Sequence, residues 1–448
     1  MPTYKAPVKD MKFILDDVLQ IGKYSNLPGF ADASPDLVAA ILDEAAKFVE
    51  NELHPINHSG DREGCKRLDD GEVQTPEGFK EAYQKFIEGG WQGLTQDPKY
   101  GGQGLPHILG ICMEELMVSA NHSFAMYPGL AAGAMAAIYI DGSEEQKDTY
   151  LPPMVEGRWT GTMNLTEAHC GTDLGMLRTK AEPQADGSYK ITGSKIFISA
   201  GEHDLAENII HLVLARLPDA PQGVKGISLF IVPKYMVKED GSLGDRNGVI
   251  CGSIEEKMGI HGNSTCVLNY DEATGYLIGE ANKGLRSMFI MMNAARLGVG
   301  IQGLANSEVA YQNAAEYARE RIQGRSLTGP KNEKGAADPI IVHPDVRRML
   351  MNAKSFNEAA RAASMWCGLL VDISHNAETE EEREWAEDMM GLMTPVVKGV
   401  FTDLGLENTV NAQQIFGGHG YIAEHGMEQF VRDVRITQIY EGANGIQA

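Results

Sequence analysis

The hydrophobic period of this chain changes twice, and that limits its fold more than any single motif does. Up to about residue 157 the apolar residues recur at helical spacing. Residues 35–54 set Leu37, Ile41, Ala45, Phe48 and Val49 on one stripe behind Ser34, whose hydroxyl can cap a helix N-terminus. Residues 79–90 and 107–120 repeat the pattern, and 143–157 opens with Ser143 and acids in its first turn. From about 158 to 279 the period shortens. Tyr189–Ser199 reads as two short strands around Gly193, followed by Ile209–Leu217, Gly226–Val232, Val267–Tyr270 and Tyr276–Ile278. Strands this close together, with turns and no helices between them, predict an antiparallel sandwich or barrel and not βαβ units. After about 281 the helical period returns in Ser287–Ala318, Asp345–Leu370, an acidic helix around Glu378–Asp388, and Thr394–Gln414. The most loop-like stretch is 324–340. The expectation is an α+β chain: a helical domain over 1–157, a central antiparallel β-domain over 158–280 and a helical bundle over 281–448.

At 448 residues and 43% hydrophobic content, the chain can bury an extensive core. Its 62 acids outnumber 39 basic residues, for a net charge of −23. Nucleic acid and anionic membrane surfaces are therefore poor partners. A polyanionic ligand would have to be met by local Arg, Lys or backbone N–H groups. The six cysteines (Cys65, Cys112, Cys170, Cys251, Cys266, Cys367) lie far apart without a C-x-x-C pair, which fits a reducing compartment and no metal site. The N-terminus carries acids early, unlike a secretory signal. The uncharged run Leu116–Ile140 is broken by Asn121, His122 and Pro128, and reads as a helix buried on all sides and not a membrane span.

Gly298, Gly300 and Gly303 match G-x-G-x-x-G. A dinucleotide site needs a strand before that motif, and here a helix is already in progress. Close helix–helix packing is the better reading. His54 and His58 have zinc-ligand spacing but Pro55 between them and no third ligand nearby, so they read as structural or solvated. The densest cluster is Gln413–Ala448, where Gly417, Gly418 and Gly420 break a helix and Arg432, Asp433 and Arg435 precede Tyr440-Glu441-Gly442. From composition alone Glu441 is either an exposed loop carboxylate or a functional one.

Three segments, in order, resemble the acyl-CoA dehydrogenase family over essentially the whole chain. They are MNLTEAHCGTD (Met163–Asp173), KIFIS (Lys195–Ser199) and the terminal QIFGGHGY…RD…QIYEG. The resemblance implies an N-terminal helical domain, a β-domain and a C-terminal four-helix bundle, with FAD between the last two and a neighbouring subunit completing the site. It implies α,β-desaturation of an acyl-CoA thioester, in which a carboxylate takes the Cα proton and the flavin takes hydride from Cβ. Glu441 is then the base, with its backbone N–H on the thioester carbonyl. Some relatives carry the base just before a substrate-facing Arg; here that position is Ala295, before Arg296. Met163, Leu165 and Thr166 fall at the flavin edge, Ile198 and Ser199 beside its ring, and Ala443 among the cofactor contacts. Thr172, Asn293 and Arg296 fall at CoA positions, with Thr172 shared by the cofactor, and Tyr440 and Gly442 fall at the acyl group. Arg321 falls at the FAD pyrophosphate, and Gln414 to Gly418 at the adenosine half across a subunit interface.

The family turn T-E-P becomes Thr166-Glu167-Ala168, and Cys170 beside it reads as buried and inert. The family's strand aromatic becomes Phe197, expected to pack its ring. After Arg321 the usual Phe-Gly becomes Gln323-Gly324, which removes one adenine-side contact. The longer N-terminus, an insertion at 328–340 and the YARERIQGRSL segment are similar to a long subgroup that includes 3-methylthiopropanoyl-CoA dehydrogenases. That similarity implies 3-methylthiopropanoyl-CoA or a similar short acyl-CoA as substrate, in a bacterial cytoplasm. The expected acceptor is electron-transferring flavoprotein, and the expected assembly a homodimer or homotetramer. A longer-chain dehydrogenase and an acyl-CoA oxidase are alternative enzymes. A DNA-associated binding protein on the same fold is the alternative of another class, and the acidic charge opposes it. Ala448 stands seven residues after Glu441, where family chains continue, so the C-terminal bundle is expected to be incomplete.

Overall fold

The computed structural model describes residues 2–448. Its first helices follow the sequence pattern with one shift. The Ser34 hydroxyl accepts the Leu37 N–H at 3.3 Å and starts α1 (Pro35–Phe48). The buried stripe is Val38, Leu42, Ala45 and Phe48, whereas Leu37 is 40% exposed. The first half of the apolar face is thus offset by one residue, while Ala45, Phe48 and Val49 are buried as predicted. After α2 (Phe79–Glu88) the uncharged run Leu116–Ile140 proves to be parts of two helices, α3 (His107–Ala120) and α4 (His122–Asp141). They part at Asn121, whose side-chain oxygen accepts the Phe124 N–H at 3.0 Å, so a polar residue inside the run begins a new helix. By length and apolarity α4 could cross a membrane, as could the later helix Gly284–Glu320, yet most of the apolar window of each is buried inside the protein. A capping box between Ser143 and Gln146 then opens α5 (Glu144–Val155).

The central strands are β1 (Trp159–Asn164), β2 (Lys180–Pro183), β3 (Tyr189–Ser199), β4 (Asn208–Ala215), β5 (Ser228–Pro233), β6 (Val249–Ile254) and β7 (Thr265–Ile278). They form one sheet ordered β1-β4-β5-β7-β3-β2, with β6 also paired to β7. All pairs are antiparallel except β1 with β4, which run parallel. The chain reaches β4 through a long excursion that includes β2 and β3, so a parallel edge needs no crossover helix. Tyr189–Ser199 is one strand and not two. Gly193 sits mid-strand because a Cβ there would lie 2.5 Å from the Thr179 hydroxyl. Val267–Tyr270 and Tyr276–Ile278 are likewise one strand, β7, bulged between Tyr270 and Ala273 so that its last residues pair with β5. One face of the sheet buries Ile210, Leu212 and Leu229 against Met135 and Ile138 of α4.

The C-terminal part holds α6 (Gly284–Glu320), α7 (Pro344–Asn376) and α8 (Glu380–Ile415), with the shorter α9 (Met427–Arg435) packed on α6 and α8. The acidic helix and Thr394–Gln414 are a single helix that runs through Pro395. Its tertiary contacts override the lost backbone donor. The glycines of the G-x-G-x-x-G string lie inside α6. A Cβ at Gly300 would sit 2.5 Å from Val397, and one at Gly303 would sit 2.4 Å from the Phe401 carbonyl. They permit a close helix crossing, as read from the sequence. His54 and His58 are also separated in role: His54 bonds the Pro2 carbonyl and His58 approaches Gln429.

The loop 324–340 has no regular structure over most of its length but is pinned by Asp338, which is fully buried. Its carboxylate accepts the backbone N–H groups of Ser326, Lys331 and Asn332 at 2.8, 2.8 and 2.7 Å. Those donors hold it at about 2, below the ordinary aspartate value. A depressed folded pKa means stabilisation that is complete above the unfolded pKa and is lost as pH falls towards 2. Asp338→Asn removes the charge these donors converge on, so at neutral pH limited proteolysis should cut 324–340 faster than in the wild type while the core stays resistant.

Candidate active site

Two anchors fix the segment that ends at Glu441. Arg432 of α9 holds Asp61 by a forked pair at 2.6 and 3.0 Å, and the Asp433 carboxylate accepts the Ile260 N–H at 2.6 Å. The helix is thereby tied to both the N-terminal helices and the β-domain. Beyond it Tyr440 N–H closes a turn on Ile436 at 3.1 Å. Glu441 and Gly442 then take positive φ, 54° and 88°. Left-handed backbone at a non-glycine residue costs on the order of 1 kcal/mol and must be held by its surroundings. Here Asn444 holds it: its oxygen accepts Lys398 Nζ at 2.8 Å, and its nitrogen donates to Asp403 at 2.7 Å.

The Glu441 carboxyl has two cations in its field. Burial raises its pKa to about 7, and Arg296 and Lys398 act against that rise. Lys398 is fully buried and is pushed down to about 8 by burial, with Glu441 and Asp403 opposing. Arg296 donates to Asn293 at 3.2 Å, lies over the Phe289 ring and keeps a buried Nε without a partner. The Tyr440 hydroxyl donates to the Gln302 side-chain oxygen.

On the β-domain side a buried ion pair braces the Thr166 turn. Lys195 Nζ donates to the Leu165 carbonyl and to Glu167, both at 2.9 Å. Glu167 also accepts the Arg178 and Thr179 N–H groups and the Thr179 hydroxyl. Glu167, His169 and Cys170 lie within 4.8 Å of one another, but the carboxylate is already used by these donors, and the group serves as a brace. Cys170 is buried and its thiol is pushed up by burial, in line with an inert role. The Ile196 N–H bonds the Thr166 carbonyl at 2.9 Å, which sets Thr166 beside β3 and Ser199 near its end. Met163 packs on the cluster that holds Leu165, Met288 and Met291, so this turn meets the first turns of α6.

Phe197 takes φ 59° where the β3–β7 register shifts, and its ring is 60% exposed. Ile198 points into the sheet core with Val213 and Cys266. Thr172, Asn293 and Ala443 are exposed, and Gly442 is half-buried.

Arg321, Gln414 and Gly418 are exposed at the opposite end of the helices, where Tyr317 stacks on Phe416 at 4.1 Å. Arg296 and Arg321 are roughly 38 Å apart along α6 at about 1.5 Å per residue. One protomer therefore does not bring this group to Glu441. The residues fit a flavin nucleotide: accessible Thr166 and Ser199 beside an exposed aromatic ring, an unpartnered guanidinium nitrogen near the carboxylate, and a separate exposed Arg for phosphates.

Sequence reading missed Lys398, Gln302, Asn444 and Glu114, which surround Tyr440 and Glu441. Lys398 had a signal, a lysine next to Val397 on the apolar stripe that continues to Phe401. Gln302 was visible only as a spacer inside the glycine string.

Family models for the acyl-CoA dehydrogenase N-terminal, middle and C-terminal domains match residues 36–158, 162–273 and 282–448. The chain is 47% identical to 3-methylmercaptopropionyl-CoA dehydrogenase of Ruegeria pomeroyi, over 100% of this chain and 75% of that protein. Its structure resembles butyryl-CoA dehydrogenase from Megasphaera elsdenii (TM-score 0.74, 28% identity, 92% and 96% of the two chains). It also resembles a chain from a structure of the electron transferring flavoprotein of Acidaminococcus fermentans (TM-score 0.75, 28% identity, 92% and 95%). The three matched domains, taken with the carboxylate and cations described above, place this chain in the acyl-CoA dehydrogenase family, as an FAD-dependent oxidoreductase that desaturates the CH–CH bond of an acyl-CoA.

Proposed function

We propose that Glu441 removes the Cα proton of a short acyl-CoA, with 3-methylmercaptopropionyl-CoA or a close analogue as the substrate. The observation that carries this reading is the place of the Glu441 carboxyl, on a left-handed turn held by Asn444 and in the field of Arg296 and Lys398, where burial raises its pKa to about 7. A thioester α-proton is weakly acidic, so its base must be more basic than a solvated carboxylate, and a pKa near the working pH meets that need. The flanking cations keep a population ionised at neutral pH. The Glu441 N–H polarises the thioester carbonyl. FAD, when bound, supplies the two-electron oxidant that accepts hydride from Cβ.

Met163, Leu165, Thr166, Ile198, Ser199 and Ala443 hold the flavin ring, and Thr172, Asn293 and Arg296 hold the CoA portion. Tyr440 and Gly442 shape the acyl site. Arg321, Gln414 and Gly418 serve the nucleotide half of a neighbouring protomer's FAD, which the separation along α6 supports. A second copy of the chain is also suited to the uncovered stripe Leu392, Val396, Val400 and Leu404 on α8. The 47% identity to a 3-methylmercaptopropionyl-CoA dehydrogenase supports the substrate. Electron-transferring flavoprotein is the acceptor we favour, and the bacterial cytoplasm the compartment.

Glu441→Gln should stay yellow yet lose flavin bleaching by acyl-CoA about 10²- to 10⁴-fold; bleaching at the wild-type rate would refute the base assignment. In the wild type the bleaching rate should rise with pH through about 7, because only the ionised carboxylate is a base. The stability effect has the opposite sign. A carboxyl raised from 4.5 to about 7 in the folded state costs stability as pH climbs through that window. Thermal melts should therefore find Glu441→Gln more stable than wild type above pH 7 and equal to it near pH 4. Charging the α8 stripe by Val400→Asp with Leu404→Asp should shift the mass measured by light scattering towards a monomer and weaken FAD retention. An unchanged mass would show that this face is not the interface.

A further inference from the structure

Gly298, Gln302 and Asn306 stand four residues apart on α6 and face one way. Each meets a polar group from another element. A Cβ at Gly298 would lie 2.4 Å from Glu114 Oε1, so glycine is what admits the α3 carboxyl against α6. Gln302 accepts the Tyr440 hydroxyl. Asn306 Nδ2 bonds His122 Nδ1 at 3.3 Å and the Gln302 carbonyl at 2.8 Å. His122 is only 2% exposed and its Nε2 has no partner. Burial is the only influence on Glu114, raising it to about 7 with no cation to hold it ionised. Glu114, Gln302 and Tyr440 keep accessible surface, whereas Ile301 and Leu304 beside them are fully buried. Packing therefore does not close these three polar groups off as it does their apolar neighbours.

The orientation of a substrate here follows from α6. Asn293 is exposed and Arg296 half-buried, while Gln302 stands six residues deeper, roughly 9 Å along the helix. A thioester whose α-carbon meets Glu441, with its CoA portion leaving past Asn293 and Arg296, directs its acyl tail to Tyr440, Gln302 and Glu114. A hydrocarbon tail would strip water from these groups and return no hydrogen bond. A heteroatom in the tail can accept one.

We propose that Glu114, Gln302, Tyr440 and His122 close the acyl site as a polar wall that selects short acyl groups bearing a hydrogen-bond-accepting atom just beyond Cβ, such as a thioether sulfur, over hydrocarbon tails of the same length. This rests on the reading of the chain as a short-acyl-CoA dehydrogenase with Glu441 as base. Thioether sulfur is a weak acceptor, so the expected preference is modest, about three- to tenfold.

The test compares kcat/KM for 3-methylthiopropanoyl-CoA and its hydrocarbon isostere pentanoyl-CoA in the holoenzyme. The wild type should favour the thioether. Glu114→Leu should move the ratio towards pentanoyl-CoA by about the same factor, and Glu114→Gln, which keeps shape and a donor, should largely restore it. Gln302→Leu should shift the ratio in the same direction and carries the comparison if Glu114→Leu does not fold. A ratio unmoved by the leucine variants overturns the polar-wall assignment while leaving Glu441 and the short substrate in place. A wild type that reduces its flavin with a long-chain acyl-CoA and with neither short thioester overturns the substrate reading, and this inference with it.

Discussion

The close crossing of α6 and α8 is the contact on which the site depends. Gly300 and Gly303 of one helix and Gly405 of the other let backbone meet backbone: a Cβ at Gly405 would lie 2.5 Å from the Gly303 carbonyl. Helices usually pack at 8–10 Å between axes, and small residues at the crossing favour the short end of that range. That approach places Arg296, one turn before Gly300, and Lys398, next to Val397, on either side of the Glu441 loop. A larger residue at the seam would separate two charges whose work needs a few ångströms. The sequence pattern that resembles a nucleotide motif thus acts through the absence of side chains.

Around this crossing the protein tolerates polar groups in its interior by pairing them. Arg361 of α7 is almost fully buried and holds Glu115 at 2.7 Å and Glu308 at 3.0 Å, which joins α3, α6 and α7. Such a triad adds little net stability compared with apolar packing, but it penalises every arrangement that separates the partners. Lys195 with Glu167 does the same for the Thr166 turn. Glu441 is treated differently: its carboxyl is desolvated without a close bond to either cation, so its basicity is raised. Contact marks the paired charges, whereas Glu441 stands apart from its cations.

Much of the architecture was legible because period reports burial on one face. The α–β–α order, the Ser34 and Ser143 caps and the helical nature of the glycine string follow from that. The misreadings share a cause: local breakers were given more weight than tertiary contact. Gly193 did not split β3, because its missing side chain makes room for Thr179. Pro395 did not end α8, because both flanks are packed. Asn121, by contrast, did divide an apolar run, since its side chain could satisfy a helix start within the core. The parallel pairing of β1 with β4 left no mark in either strand's composition.

The residues of the site divide in the same way. The sequence by itself pointed to the reaction class, and to Glu441 as the base proposed above, because the Tyr440-Glu441-Gly442 segment, the Thr166 turn and the β3 strand carry the family resemblance in residue type and order. Only the tertiary structure decided which groups surround that carboxyl. Lys398, Gln302, Glu114 and His122 come from four helices and are ordinary polar residues in their own segments. Their roles arise from desolvation and from neighbours far away in the chain, and neither quantity is a property of a local string of residues.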